Sequence, residues 1–408
     1  MTTQSDSAFE NLPTEILEQI ILYITDPGSI YHLLVASPAA SRVFNVSEAG
    51  PKALDNALAE TMAPQVCRFI RLVGLIRTAT SEKPLAESLR AFAEQYTQRL
   101  EGTHLGPVPP LPRSFCGEHR HATRSLLSTV RHIIFLASDC LEHYRRRCLS
   151  IKPSHLKSRF VWGSGYAKPW REKPLGEPYK PQDIGPPCWV EEQRVMRGFW
   201  RLQLLNEMRT AASEGRLRWA VEDDQKEISA DTLFLGWNRP RQPKKEEFLT
   251  VVDFVNHTQS GPINADYPLC LPPSPRGHNA VGKWPALALY QQVDSLWERD
   301  TLLDLNPAGF GFYMRLWGSH FSPIRGVPFR PYRELGFAIW ETDKLTKLKL
   351  WWPHEASRDG KTRPLDKNDQ IFAWRSLLSQ ELLAELVEKM DEEYRRTGRW
   401  LPQDNPDM

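Results

Sequence analysis

Three prolines, Pro13, Pro27 and Pro38, punctuate the start of the chain, and an apolar run follows each of them. Proline suits the first helical position, where its missing N–H costs nothing and its fixed φ already fits the helix. Asp26 and Ser37 directly precede two of these prolines and are good N-cap residues. Glu15 adds negative charge where the first turn of a helix favours it. Residues 9–46 therefore read as three short helices joined by tight corners. The first has a broad apolar face, with Ile16, Leu17, Ile20, Ile21 and Ile24 recurring at spacings of three and four. The second offers Ile30, Leu33 and Leu34, and the third Val43 and Phe44. A unit of roughly 40 residues seldom builds a sufficient core alone. Either the rest of the chain covers this apolar surface or another protein does.

The same residues carry a resemblance. Leu12-Pro13, Glu15-Ile16-Leu17, Tyr23-Ile24, Asp26-Pro27, Leu33-Leu34, Val35-Ala36-Ser37 and Arg42 stand in the order of an F-box. The segment is similar to a Ser-Pro variant found in fungal F-box proteins. Ala39 and Ala40 stand where many F-boxes carry a tryptophan, and Arg42 and Phe44 read as the local substitutes. The resemblance implies a three-helix unit that docks on Skp1, and through it on a cullin–RING ubiquitin ligase. It assigns Leu12, Pro13, Ile16, Leu17, Ile20, Leu33, Leu34 and Phe44 to the Skp1-binding face.

Beyond this segment the composition narrows the partners. The chain has 408 residues and 41% hydrophobic residues, enough for a substantial core and too many for a disordered chain. Lys and Arg number 52 against 50 Asp and Glu, so neither nucleic acid nor an anionic membrane is expected as the main partner. No run approaches the roughly 18–20 apolar residues of a membrane span. Residues 1–11 are polar and lack a signal-peptide core. Cys67, Cys116, Cys140, Cys148, Cys188 and Cys270 are widely spread and are expected as reduced thiols, in cytoplasm or nucleus.

All 14 tryptophans follow residue 161, which separates an aliphatic helical part from an aromatic-rich part. Helices are expected over 53–77 and 85–100. A longer one is expected over 120–149, where Leu126, Val130, Ile133, Ala137, Leu141, Tyr144 and Cys148 share a face. Residues 151–187 contain seven prolines and read as a long irregular stretch, and 260–285 as another. A strong helix is expected from Trp189 to about Ala212, with Met196, Trp200, Leu204 and Met208 in one row and Val195, Phe199 and Leu202 beside it. The last runs from Ile371 to about Arg396, with Arg395 and Arg396 in its final turn and Gly398 as a stop. Short strands are expected near Thr232–Trp237 and Phe312–Trp317. No repeat of a leucine-rich, WD or kelch period is present. Residues 191–203 and 334–340 resemble the C-terminal region of large fungal F-box families, a likeness that brings no known substrate with it.

Motifs for chemistry are weak. Cys116, His119 and His121 could supply metal ligands, but no second ligand pair follows and the spacing suits a structural role. Gly309-Phe310-Gly311 is half of a dinucleotide fingerprint without a βαβ pattern, and reads as a turn. Trp162-Gly163-Ser164-Gly165 lacks the spacing of a nucleophile elbow, and His354-Glu355 is not a zinc-protease pair. Arg194, Arg197 and Arg201 fall on one side of the Trp189 helix. They read as a solvated charged face, or else as a stripe for an acidic or phosphorylated motif. Arg145-Arg146-Arg147 suits the C-terminal end of the long helix.

The expected fold is mainly α: an F-box over 9–46, then an irregular, largely helical domain over 51–400 with a few short strands. The expected function is a non-catalytic, substrate-recruiting adaptor, needing no cofactor or metal. An Skp1-bound structural protein outside a ligase and a helical enzyme remain as alternatives. A protein substrate is expected at the 151–187 stretch, where Arg159, Trp162, Trp170 and Arg171 interleave aromatic and basic groups. The other reading, which the long irregular stretch favours, is that those aromatics pin a loop to the domain.

Overall fold

A computed structural model of the chain describes residues 8–80, 82, 85–97, 110–111, 121–154, 171, 178–217, 219, 228–234, 242–259, 270–272, 302–303, 305–318, 322, 324–351 and 373–398. A 3-10 turn, Ala8–Asn11, leads into α1 (Thr14–Leu22), α2 (Pro27–Ala36) and α3 (Pro38–Val46). Asp26 caps α2 by accepting from the Ser29 N–H at 2.7 Å, and Ser37 caps α3 by accepting from the Ala40 N–H at 3.1 Å. Pro13 differs from the other two prolines. It is itself the N-cap of α1, which has no side-chain cap.

The helix expected over 53–77 is two helices, α4 (Ala49–Thr61) and α5 (Pro64–Thr78). The break falls at Met62 and Ala63, both extended, because a residue before proline is driven out of the helical region. Helix α6 (Leu89–Phe92) and a π turn, Ala93–Thr97, follow. Helix α7 (Ala122–Ser150) matches the long periodic segment. Helix α8 (Trp189–Ser213) matches the expected strong helix and is capped through a Glu191 carboxylate accepting from the Cys188 N–H at 2.9 Å. The short α9 (Ala230–Leu233) and then α10 (Pro243–Thr258) complete this part.

Helices α11 (Ala308–Gly318), α12 (Arg330–Arg333), α13 (Thr342–Lys347) and α14 (Gln380–Thr397) follow. Gly398 ends α14 in the left-handed conformation at φ 62°. Among the described residues no β-strand is formed. The strand expected at Phe312–Trp317 is corrected, since Ala308–Gly318 is helical; of the one expected at Thr232–Trp237, Thr232 and Leu233 lie in the helix Ala230–Leu233 and residues 235–237 lie outside the described residues. Composition misled there, since aromatic runs suit a strand, but the buried set Phe312, Tyr313 and Leu316 follows the helical period. Gly309 and Gly311 lie inside α11, so the expected turn is also corrected. A Cβ on Gly309 would come within 2.4 Å of the Phe337 carbonyl oxygen, so glycine here permits close packing.

The chain forms two units, Met1–Cys140 with Cys188–Asp304, and Leu141–Pro187 with Leu305–Met408. Residues 9–46 and 51–140 thus fall in the same unit. In the first unit α8 packs mainly against α5 and α10, while α1 packs against α3 and α4. Helix α8 is buried on nearly every side. In the second unit the core is aromatic. Phe310, Phe312, Tyr313, Phe329, Tyr332, Phe337 and Trp374 meet at ring separations of 4.8–6.3 Å. Their polar tips find backbone acceptors: the Tyr313 hydroxyl donates to Val327 O and the Trp374 indole to Leu350 O. Lys344 is buried and its ammonium donates to Ile184 O at 2.8 Å and to Pro186 O. No described helix is long and apolar enough to cross a membrane.

Candidate functional site

Helix α1 carries two apolar rows. Leu17 and Ile21 form the inner row, 2% and 0% exposed, and seat the helix on its neighbours. Ile16, Ile20 and Tyr23, at spacings of four and three, form the outer row. Ile16 is 46% and Tyr23 80% exposed, while Ile20 is partly exposed. Pro13 is exposed and Leu12 partly so, extending that row at its N-terminal end. On α2, Val35 is 62% exposed and Leu33 partly exposed, whereas Ile30 and Leu34 are buried.

Another flank of the three-helix segment is covered by the chain itself. The Arg131 guanidinium of α7 lies over the Tyr31 ring at 4.7 Å, and Arg124 donates to the Ser41 hydroxyl at 2.7 Å. The exposed large apolar side chains of the segment lie on the 3-10 turn (Phe9), on outer α1 (Ile16 and Tyr23), at the end of α2 (Val35) and at the end of α3 (Val46). Of the eight residues assigned to docking, Leu12, Pro13, Ile16, Ile20 and Leu33 have accessible surface. Leu17, Leu34 and Phe44 do not, at 2%, 4% and 0% exposure. Those three are buried together with Ile21, Ile30, Ala40 and Val43 and belong to the interior.

Of the residues assigned to substrate, Arg159, Trp162 and Trp170 lie outside the described residues. Arg171 is described. Its guanidinium Nε donates to both carboxylate oxygens of Asp391, at 2.9 and 3.0 Å. That pairing holds the guanidinium above its ordinary value, first through the hydrogen bond and then through the charge of Asp391. Arg145 likewise bonds Asp183 and Glu142, Arg146 bonds Glu142, and Arg147 faces Glu334, so this basic run is matched locally.

Arg194, Arg197 and Arg201 are neither a solvated face nor an accessible stripe, since they are only 1%, 0% and 1% exposed. Arg197 forms a two-pronged pair with Glu247 of α10, at 2.6 and 2.9 Å from Nη2 and 3.2 Å from Nε. Its other arm donates to the Gln65 side chain of α5 at 2.7 Å, and Nη2 also reaches Leu303 O at 3.1 Å. Arg201 lies between the rings of Phe69 and Phe234, at 5.4 and 5.6 Å, and donates to Lys244 O. Gln193 accepts from the Ala63 N–H at 2.9 Å, tying the start of α8 to the α4–α5 corner. Glu247, Gln65 and Gln193 carried no sequence signal of their own. The signal that was present is the apolar pattern: with Met196, Trp200 and Leu204 in one row and Val195, Phe199 and Leu202 beside it, α8 has little face left for water.

Catalytic groupings are sparse. Cys116 and His119, Trp162–Gly165, and His354–Glu355 all lie outside the described residues. His121 is exposed. Among the described residues no group of three or more His, Cys, Asp or Glu side chains is placed to hold a metal. Burial, and secondarily the charge of Asp139, push the Cys140 thiol well above its ordinary value, which leaves it a poor nucleophile. No family model, no curated protein and no solved structure matches this chain.

Proposed function

We propose that this chain is a substrate-recruiting adaptor of a Skp1–cullin–F-box ubiquitin ligase, docking on Skp1 through the outer surface of α1 and the end of α2. One observation carries the reading. Six large apolar side chains are exposed among the described residues, and five of them, Phe9, Ile16, Tyr23, Val35 and Val46, lie within residues 9–46. Clustered apolar exposure marks an interaction surface, whereas scattered single residues do not. The F-box pattern falls on the same segment and supplies the identity of the partner. The rest of the chain would hold a protein substrate near the ubiquitin-charged enzyme, so that catalysis belongs to other subunits and this chain contributes proximity.

The test is titration of purified Skp1 against the full chain. Leu12→Ala with Pro13→Ala should remove about 2 kcal/mol or more of binding, the scale of a central anchor, while leaving the melting temperature near wild type. Binding at wild-type strength would sink the docking face. Recovery of Skp1 from cells without cullin would sink the ligase assignment but leave the docking intact.

A further inference from the structure

Of the first three helices, α1 alone begins without a side-chain cap. What fixes the chain just before it is a tether to another helix. The Glu10 carboxylate reaches the N-terminal end of α3. Its Oε1 accepts from the Ser37 hydroxyl at 2.9 Å and from the Ala39 N–H at 3.2 Å. Ser37 is itself buried and uses the same oxygen to accept from the Ala40 N–H, so one hydroxyl links the carboxylate and the helix cap. Arg42 adds a longer charge contact to Oε2 at 3.7 Å. A carboxylate suits this place, because the free N–H groups and the dipole of a helix start favour negative charge.

We propose that Glu10 is a positioning residue for the docking face: it latches the 3-10 turn onto α3 and so fixes the direction in which Leu12 and Pro13 are presented. The inference rests on the docking reading above. Leu12 follows Glu10 by two residues, and its N–H bonds Phe9 O at 3.4 Å, so the latched turn and the first docking residues move together. Without the latch, Leu12 and Pro13 would sample more orientations in the free chain. Binding would then have to order them, which weakens affinity without removing a contact to the partner.

The full chain is titrated with purified Skp1 in wild-type, Glu10→Ala, Glu10→Gln and Leu12→Ala/Pro13→Ala forms, and each is melted. Glu10→Ala should bind about tenfold more weakly, near 1.4 kcal/mol, with the main unfolding transition little changed. Glu10→Gln should recover most of that loss, because an amide oxygen still accepts from Ser37 and Ala39. If Glu10→Ala binds like wild type while the double variant fails, the latch is wrong and the docking face stands. A Glu10→Ala loss that Gln does not recover, or that tracks a fall in melting temperature, makes Glu10 a fold residue and overturns the latch. Wild-type binding by the double variant removes the docking face, and the latch with it.

Discussion

Helices α1 and α8 use their side chains in opposite ways. Helix α1 is nine residues, rich in isoleucine, and leaves part of that apolar surface in water. Helix α8 is 25 residues, carries three arginines along its middle, and takes all three out of water. Hydrophobicity alone would have ranked them the other way. The difference lies in what surrounds each helix. The inner row of α1 seats it on α3 and α4, and among the described residues Ile16 and Tyr23 of the outer row stay exposed. Helix α8 lies between α5 and α10, so even its charged side chains must end inside, where Glu247 and Gln65 meet them. An apolar residue left outside costs little folding stability, whereas a charge brought inside is tolerable only with partners.

The sharpest way to break this contrast is at Glu247. Glu247→Ala leaves the buried Arg197 fork without its carboxylate, and such a change typically costs about 3–5 kcal/mol. Urea unfolding followed by circular dichroism should show it as a large drop in midpoint. A loss under about 1 kcal/mol would mean that water reaches the arginines. Next comes a pair of adjacent substitutions on α1. Leu17→Ala opens a cavity and should cost about 2–5 kcal/mol. Ile16→Ala, one residue away, should change stability by no more than about 0.5 kcal/mol. If the two cost the same, the rows are misassigned and the outer surface is core.

Two smaller effects sharpen the picture. A Cβ on Gly198 of α8 would lie 2.7 Å from Cγ2 of Val251 on α10. Valine is stiff at χ1 and cannot swing aside easily, so Gly198→Ala should destabilise by about 1–3 kcal/mol despite the better helix propensity of alanine. A neutral or stabilising result in thermal melts would mean that α8 and α10 are less tightly apposed. Asp26→Ala removes the cap of α2 and should cost about 1 kcal/mol, read in the same melts. That is smaller than the interior effects because the cap lies at an exposed corner.

Much of the local structure was legible in the sequence. Pro27 behind Asp26 and Pro38 behind Ser37 specified where α2 and α3 begin, down to the capping oxygen. The three-and-four spacing of Leu126 to Cys148 specified α7, and Gly398 specified the end of α14. These features depend on residues within one turn of each other, so a short window of sequence contains their cause. Pro13 stands one position earlier in its helix than Pro27 and Pro38 do in theirs, and between Thr61 and Pro64 an apparently continuous apolar pattern concealed a corner.

The candidate docking face was only half legible, for a related reason. Periodicity showed that α1 had too much apolar surface, and could not show which row would turn inward. Leu17 and Ile16 are neighbours of equal hydrophobic character, separated by 100° of helix rotation. Their fates, 2% and 46% exposed, follow from where α3 and α4 lie. The tether of Glu10 to Ser37 spans 27 residues and the pair of Arg197 with Glu247 spans 50. Neither follows from the spacing of like residues along one helix. The sequence by itself determined where helices start, stop and carry apolar rows, because those depend on neighbours along the chain. Tertiary structure decided which row faces water and which charge finds its partner, because those depend on residues that meet only after the chain has folded.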